Sequence, residues 1–344
     1  MPASDRTPIS TTIDFNCEGK QQGHLAIPYS HNLSGWANLP IHITVIRNGD
    51  GPAVLAMAGN HGDEYPGQVA IMRLCHQLEA QDVKGLLILI PCLNPPAAKA
   101  GTRLSPLDGK NFNRCFPGNP RGTVSEMLAH YLSSVLFPMV DTVIDLHTGG
   151  RSTNFIPCAH MHLVPDPAQR TAMIDAAEAF NTAVTFLYTD VAGTGLLPSE
   201  AERQGKIVIT TEMGGGEPVP ASIHRQCQSG LRNVLIHRGV LRGKFQTRAA
   251  AGLGPARWVQ ALGPECYRFA PDSGLYENMV DLGETVRVGQ PLGLLHSIER
   301  PDRDPIPVTA SVDGILVANR APSLVSQGDC LGVVAQDTDP RSLP

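Results

Sequence analysis

The sequence has little charge of either sign and no long apolar run. Only 17% of its 344 residues are charged, the formal net charge is -5, and Lys and Arg are not clustered. We therefore expect no nucleic-acid partner. The longest apolar stretch, Leu86 to Leu93, is far shorter than the roughly 20 residues that span a bilayer. The first ten residues also lack the apolar core of a secretion signal, so we expect no membrane contact and a cytoplasmic location.

Paired-cysteine motifs and phosphate-binding motifs are missing as well. The eight cysteines are scattered without a CxxC pair, which argues against a disulfide framework or a cysteine zinc site. In a chain without a secretion signal, we expect them to be small buried hydrophobes. Neither GxxxxGK[ST] nor GxGxxG occurs, so the three glycines at 214–216 are not predicted to form a phosphate loop.

Apolar residues make up 42% of the chain, which is enough for a sizeable core. Strands are predicted at IHITVIRN, AVLAMAG, LLILIPCLNP, TVIDL and KIVITTEM. Helices are predicted to begin near Gly67, Val124, Ala168 and Ile223, the second of them capped by Ser125. This alternation predicts an α/β fold in which a mixed β-sheet is flanked by helices.

The composition changes at the small, flexible segment AAAGLGPA, residues 249–256, which is typical of a linker. Beyond it, short strand-like pieces alternate with Gly and Pro turns, and no helix is indicated. We therefore predict two domains. Residues 1–247 would form a catalytic domain with an N-terminal β extension, and residues 257–344 would form a small C-terminal all-β domain.

Metal-ligating side chains follow two of the predicted strands. His61 and Glu64 lie three residues apart just after AVLAMA, and His147 follows TVIDL. Side chains at the carboxyl ends of neighbouring parallel strands come together, so a zinc site is favoured, although HxxE alone is more often an ordinary helix start. Two imidazoles and one carboxylate leave a position open for water, as catalytic zinc sites do. Asp145 could support His147 or be purely structural.

Further polar residues complete the candidate site. Glu212 ends the strand KIVITTEM, where a carboxylate can take a proton from water and return it to a leaving amine. The loop from Gly101 to Gly118 offers Arg103 and Arg114, whose guanidinium groups suit a carboxylate or a carbonyl, and Asn113, which adds a directional hydrogen bond. Two arginines in one loop are commonly just solvated, so this loop alone is a weak signal.

The blocks GNHGDE, NFNRCFPG, DLHTG and TEMGG, in this order, resemble the succinylglutamate desuccinylase and aspartoacylase family, which is similar in fold to the zinc carboxypeptidases. The resemblance covers roughly Ile41 to Arg242. It implies one zinc ion per chain as the cofactor. The residue roles it implies are zinc ligation by His61, Glu64 and His147, catalysis by Glu212, support of the scissile carbonyl by Arg103, and binding of the substrate carboxylate by Asn113 and Arg114.

Within this family, the opening STTIDFNCEGKQQGHLAIPYSHN and the block GNHGDEYPGQ look most like the deacetylases of N-alpha-acetyl-L-2,4-diaminobutyrate in ectoine degradation. The resemblance implies an amide hydrolase that removes an acetyl or other small acyl group from an N-acylated amino acid. The C-terminal segments GETVRVGQPLG and SVDGIL look like a lipoyl or biotinyl half barrel without a suitable lysine. That domain is therefore expected to be structural or to shield the substrate.

Several alternatives remain at this point. A zinc carboxypeptidase would share the metal ligands but need an open cleft, and a non-catalytic binding protein would be expected to lack Glu212. His160 and His162 could form a second metal site, but no third ligand is near them in sequence, which favours packing or a place at the rim. A nucleophilic role for Cys115 lacks a partner histidine. The sequence leaves open the acyl group, the amino-acid side chain and whether the protein forms a homo-oligomer.

Overall fold

A mixed β-sheet runs through the protein from its N-terminal to its C-terminal strands. The computed structural model describes residues 7–189 and 194–343. In chain order the strands are β1 (Ser10–Thr11), β2 (Gly19–His31), β3 (Ser34–Asn48), β4 (Ala53–Ala58), β5 (Gly85–Ile90), β6 (Thr142–His147), β7 (Thr153–Phe155), β8 (Cys158–His162), β9 (Val184–Tyr188), β10 (Ile207–Glu212), β11 (Arg257–Ala261), β12 (Tyr267–Phe269), β13 (Gly274–Asn278), β14 (Thr285–Val286), β15 (Pro291–His296), β16 (Ile306–Thr309), β17 (Gly314–Arg320), β18 (Leu324–Val325) and β19 (Cys330–Asp337).

The large sheet has the order β1-β2-β3-β5-β4-β6-β10-β8-β9-β11-β19-β17-β14. Its centre is parallel, because β5, β4, β6 and β10 all run in one direction, whereas β3 and β8 flank them in the antiparallel sense. Every residue of β5 and β6 is buried, as expected for central strands that are covered on both faces. The predicted strands IHITVIRN and AVLAMAG, which form part of β3 and β4, follow each other in the chain but are not direct neighbours, because β5 lies between them.

Six α-helices accompany the sheet in the described part of the chain: α1 (Tyr65–Gln77), α2 (Pro95–Ala100), α3 (Val124–Tyr131), α4 (Pro167–Phe180), α5 (Leu197–Arg203) and α6 (Ala221–His237). Helices α1, α6 and α4 lie side by side, while α5 contacts β6 and β10. The predicted helices are present within a few residues of their expected bounds. The α/β fold predicted from the sequence is therefore confirmed.

The predicted cap of α3 is wrong. The helix is capped by Thr123, whose hydroxyl accepts from the backbone N–H of Glu126, while the Glu126 carboxylate accepts from the backbone N–H of Thr123 at 2.8 Å. Ser125 lies inside the first turn and donates its hydroxyl proton to Asp108. The capping box formed by Thr123 and Glu126 therefore caps α3 in place of Ser125.

The C-terminal strands continue the large sheet and also form a smaller one. Strand β11 pairs in parallel with β9 and in the antiparallel sense with β19, which joins the C-terminal strands to the central sheet. A separate four-stranded sheet has the order β16-β15-β13-β18. No α-helix occurs in residues 257–343, so this C-terminal part is all-β as predicted.

Four of the eight cysteines are buried and unpaired, as predicted for small hydrophobes: Cys75, Cys158, Cys227 and Cys266. Three others are only half-buried and Cys17 is exposed, so the prediction holds for half of them. No helix in residues 7–189 or 194–343 combines the length and the apolarity needed to cross a bilayer.

Candidate active site

The loop between β4 and α1 depends on two glycines. Gly59 has a φ of 67°, in the left-handed region that glycine adopts most easily, and it turns the chain at the end of β4. Gly62 lies against the backbone of α2, and a Cβ added there would lie 2.1 Å from the carbonyl carbon of Ala97. The chain therefore passes close to α2 between His61 and Glu64, and this places both side chains at the carboxyl end of the sheet.

The Gly62→Ala variant is expected to lose about 1–3 kcal/mol of stability, because the added methyl group would overlap backbone atoms that cannot rotate away. Urea denaturation followed by circular dichroism measures the change. Gly35→Ala is the matched control, since a Cβ at Gly35 would meet nothing within 4 Å. Equal stability of the two variants would contradict the close approach described here.

His61, Glu64 and His147 form one compact buried group. The Nδ1 atom of His61 lies 2.7 Å from Glu64 Oε1, and the Nδ1 atom of His147 lies 2.8 Å from Glu64 Oε2. One ligand atom from each of the three residues lies within 4.8 Å of the others. The two strands that carry the histidine loops, β4 and β6, are parallel neighbours, which explains the convergence. A group that could bind a metal ion is therefore present.

The second nitrogen of each histidine is held by an acceptor. His147 Nε2 lies 2.8 Å from Asp145 Oδ2, and His61 Nε2 lies 3.2 Å from Asn111 Oδ1, an oxygen that also accepts from a backbone N–H. Because neither oxygen can donate, each Nε2 carries a proton. Metal-ligating histidines commonly show this arrangement, since it leaves the lone pair of the other nitrogen for the ion. The donor set therefore fits a divalent metal such as zinc.

The charges in this group are strongly coupled. Burial alone would raise the pKa of Glu64, but the charges of His61 and His147 outweigh it and hold that pKa well below its usual range. Burial alone would lower the pKa of His147, but Asp145 and Glu64 raise it well above its usual value. A bound metal ion would have to displace the proton of His147, so metal affinity should fall as the pH falls.

Glu212 lies beside this group without belonging to it. The register of β10 and β6 places Glu212 directly opposite His147, and Glu212, His61 and His147 all line one cavity. The Oε2 atom of Glu212 is buried and has no hydrogen-bond partner among the described residues. Burial, and then the negative charge of Glu64, raise the pKa of Glu212 to about 8. A cation held by the neighbouring residues would lower this pKa and favour the carboxylate.

Arg103, Asn113 and Arg114 line the same cavity. Arg103 Nη1 lies 3.3 Å from Glu64 Oε1, and 44% of its side chain is exposed, so it can approach a bound molecule. Asn113 Oδ1 accepts from the backbone N–H of Leu197 at 2.8 Å, which leaves the side-chain amide to act as a donor. Arg114 donates to the carbonyl of Asn113 at 2.7 Å, so this pair is ordered as a unit.

The rest of the cavity wall is largely aromatic and comes from both parts of the chain. Phe155 lines it from β7, Phe186 and Tyr188 line it from β9, and Tyr267 and Val333 line it from the C-terminal strands. The all-β part therefore covers one side of the cavity that holds His61, His147 and Glu212.

Asn111 and Asp63 also support the site, although the sequence did not indicate them. Asn111 contacts His61 from a position fifty residues away, and Asp63 accepts from the backbone N–H of Arg151 at 2.9 Å. Asn111 lies inside the NFNRCFPG block, so its place two residues before Asn113 was the available signal. No local pattern indicates the contact of Asp63 with the loop after β6.

The alternative sites have different surroundings. His160 lines the main cavity, whereas His162 contacts Glu202 at 2.8 Å and lines a neighbouring cavity, and among the described residues neither belongs to a group of three metal-ligating side chains. Burial raises the pKa of Cys115 to about 11, so its thiol stays protonated at neutral pH.

Together, the fold and the site define an α/β protein with a group that could bind a metal ion at the carboxyl edge of a central sheet. The sequence profile of the succinylglutamate desuccinylase/aspartoacylase catalytic domain matches residues 50–238. The chain belongs to this family. It is 38% identical over 337 residues to the N-alpha-acetyl-L-2,4-diaminobutyric acid deacetylase of Halomonas elongata, a match that covers 98% of this chain and 97% of that protein.

Solved structures agree with this assignment. The product-bound structure of the ectoine utilization protein EutE (DoeB) from Ruegeria pomeroyi superposes with a TM-score of 0.91 at 38% identity and covers 96% of this chain and 99% of that chain. A succinylglutamate desuccinylase/aspartoacylase from Rhodobacter sphaeroides gives a TM-score of 0.92 at 40% identity and covers 97% of this chain and 100% of that chain. The names of the deacetylase and of the family are those of enzymes that hydrolyse amide bonds.

Proposed function

We propose that this protein is a zinc-dependent amide hydrolase that removes the acetyl group of N-alpha-acetyl-L-2,4-diaminobutyrate in the cytoplasm. The observation that carries the proposal is the buried Oε2 atom of Glu212, which has no hydrogen-bond partner in the part of the chain that the structure describes. Glu212 lies in the same cavity as a His-Glu-His group suited to a metal ion. The activity named for the Halomonas relative supports the choice of substrate.

His61, Glu64 and His147 would hold the zinc ion. When bound, zinc would supply Lewis acidity that makes water a better nucleophile and polarises the amide carbonyl. Asp145 and Asn111 keep the two rings oriented by accepting from their Nε2–H groups at 2.8 and 3.2 Å. These contacts fix the donor atoms before substrate arrives.

Glu212 would move the proton of the reaction. Its carboxylate takes the proton of the attacking water and then donates it to the nitrogen of the leaving amine, so the amide C–N bond breaks and a neutral amine departs. The raised pKa of Glu212 would be lowered by bound zinc, so the side chain would be a carboxylate that can accept this proton and return it. Arg103 would donate hydrogen bonds to the carbonyl oxygen as negative charge develops on it.

Asn113 and Arg114 would bind the α-carboxylate of the substrate. The amide donor of Asn113 and the guanidinium of Arg114 both line the cavity, and cations with several N–H donors suit carboxylates. Binding there would hold the scissile amide beside Glu212 and supply positioning energy.

We also propose that residues 1–247 and 257–344 are separate domains, the second of which shields the bound substrate through Tyr267 and Val333.

The zinc-loaded protein is expected to release acetate from N-alpha-acetyl-L-2,4-diaminobutyrate and to lose at least about tenfold in kcat/KM on the matching α-carboxamide, because the carboxamide cannot pair with Arg114. Coupled detection of the released acetate measures both reactions. Dipeptides serve as the comparison, since a carboxypeptidase would prefer them. Faster hydrolysis of dipeptides, or no release of acetate, would contradict the proposed function.

A further inference from the structure

His160 is a buried residue of the cavity wall that the proposed reaction does not use. Only 6% of the residue is exposed, yet it lines the cavity together with Glu212. Strand β8 pairs with β10 so that His160 lies opposite Thr210, two residues before Glu212. Side chains two residues apart on a strand share a face, so Thr210 and Glu212 both point towards this cavity.

The hydrogen bonds of Thr210 fix the tautomer of His160. The Thr210 Oγ1 atom lies 2.9 Å from the backbone carbonyl oxygen of His160 and 2.9 Å from His160 Nδ1. A hydroxyl has one proton and a carbonyl can only accept, so the hydroxyl donates to the carbonyl. The Nδ1 atom must then donate its own proton to the hydroxyl oxygen.

The other nitrogen of His160 therefore carries a lone pair. Burial lowers the pKa of His160 to about 3, with a further contribution from the charge of His147, so the ring is neutral at pH 7. The Nε2 atom is buried and has no hydrogen-bond partner within residues 7–189 and 194–343. A buried acceptor without a partner is costly, and a ligand that brings a donor to it gains affinity.

The surroundings of Nε2 suit a positively charged donor. The ring of His160 lies edge-on to Tyr188 with 4.8 Å between ring centroids, and Phe186 stacks on Tyr188 at 5.9 Å. Faces of aromatic rings attract ammonium groups. The leaving nitrogen is already served by Glu212 and the α-carboxylate by Arg114, so the donor that reaches His160 belongs to the side chain of the substrate.

We propose that His160 Nε2 accepts a hydrogen bond from the side-chain ammonium group of the substrate, so that His160 selects N-acyl amino acids that carry an amine in the side chain. This inference rests on the proposed function and names the feature of the substrate that the cavity recognises. Apolar side chains of equal length leave the acceptor unpaired and bind less well.

Kinetics on a pair of isosteric substrates tests the inference. N-acetyl-L-2-aminopentanoate replaces the ammonium of N-alpha-acetyl-L-2,4-diaminobutyrate with a methyl group. His160→Leu is expected to raise KM for the charged substrate by about 10- to 100-fold, with kcat nearly unchanged and no rise in KM for the neutral one. His160→Gln, which can present its amide oxygen near the position of Nε2, is expected to retain most of the preference.

A binding measurement and a control variant complete the design. Calorimetry should show that the wild-type protein binds free 2,4-diaminobutyrate more tightly than 2-aminopentanoate, and that His160→Leu loses this difference. The control is His162→Leu, which changes the same strand but a side chain that contacts Glu202 and lines the neighbouring cavity. It should keep the preference.

The outcomes separate the two proposals. If the wild-type protein hydrolyses both substrates equally well, or if His160→Leu and His160→Gln weaken both equally, the role of His160 is wrong while the amide hydrolase stands. If the wild-type protein hydrolyses neither substrate, the proposed function itself fails, and equal binding of the two free amino acids then overturns the role of His160 independently.

Discussion

Glu212→Gln is expected to lower kcat by about 10²- to 10⁴-fold, the effect typical of removing a general acid-base group. The amide keeps the size and shape of the side chain but can neither take the proton of water nor pass it to the leaving amine. Glu212 is not one of the three clustered metal-binding side chains, so the zinc content should stay at one ion per chain. Steady-state kinetics and metal analysis on the same samples measure both quantities.

The control for this variant is Glu217→Gln. Glu217 lies in the loop after the same strand, but it forms an ion pair with Arg151 and does not line the cavity, so the change should leave kcat within about twofold. Undiminished turnover by Glu212→Gln would remove Glu212 from the mechanism. Loss of zinc together with activity would instead indicate that Glu212 acts as a ligand.

His147→Ala is expected to lower zinc affinity by at least about 100-fold and to abolish detectable turnover. The change removes one of three donors, and it leaves the buried carboxylates of Asp145 and Glu64 without their shared cationic partner. Removing one partner from a buried group of charges is destabilising, so we also expect a loss of about 3–5 kcal/mol in stability. Competition with a chromophoric chelator measures the affinity, and denaturation measures the stability.

His76→Ala serves as the control for metal binding, because His76 is an exposed residue of α1 outside the cavity. It should bind zinc as the wild-type protein does. Treating the wild-type protein with a chelator should abolish turnover, and added zinc should restore it, whereas no addition of zinc at ordinary concentrations should rescue His147→Ala. A His147→Ala protein that keeps one tightly bound zinc ion would contradict the ligand assignment.

The strand ends of the candidate site were predictable from the sequence because their placement follows from a simple rule. Residues 53–58, 142–147 and 207–212 are largely apolar runs that end in polar residues or are followed closely by them, and parallel pairing of such runs brings those ends together. The register places His147 opposite Glu212, as this rule requires. The convergence of these strand ends could be predicted without knowing the protein family or the role of any residue.

Other features depend on contacts that the sequence does not encode locally. Asn113 orients its amide through the backbone of Leu197, 84 residues away, and His61 is held by Asn111 across fifty residues. The hydrogen-bond partner of His160 could not be predicted either, because the antiparallel pairing of β8 with β10 decides which residue contacts its Nδ1 atom. The cap of α3 shows the same limit, since Asp108 draws Ser125 away from a capping role.

The parallel pairing of β11 with β9 ties the C-terminal third of the chain to the first two thirds. If the chain were cut at the segment 249–256, β9 would become an open edge whose backbone groups invite pairing with other molecules, and aggregation would follow. The residues that surround the reaction centre therefore depend on one continuous sheet. A chain shortened at this segment would lose solubility, although it would still contain every side chain of the His-Glu-His group.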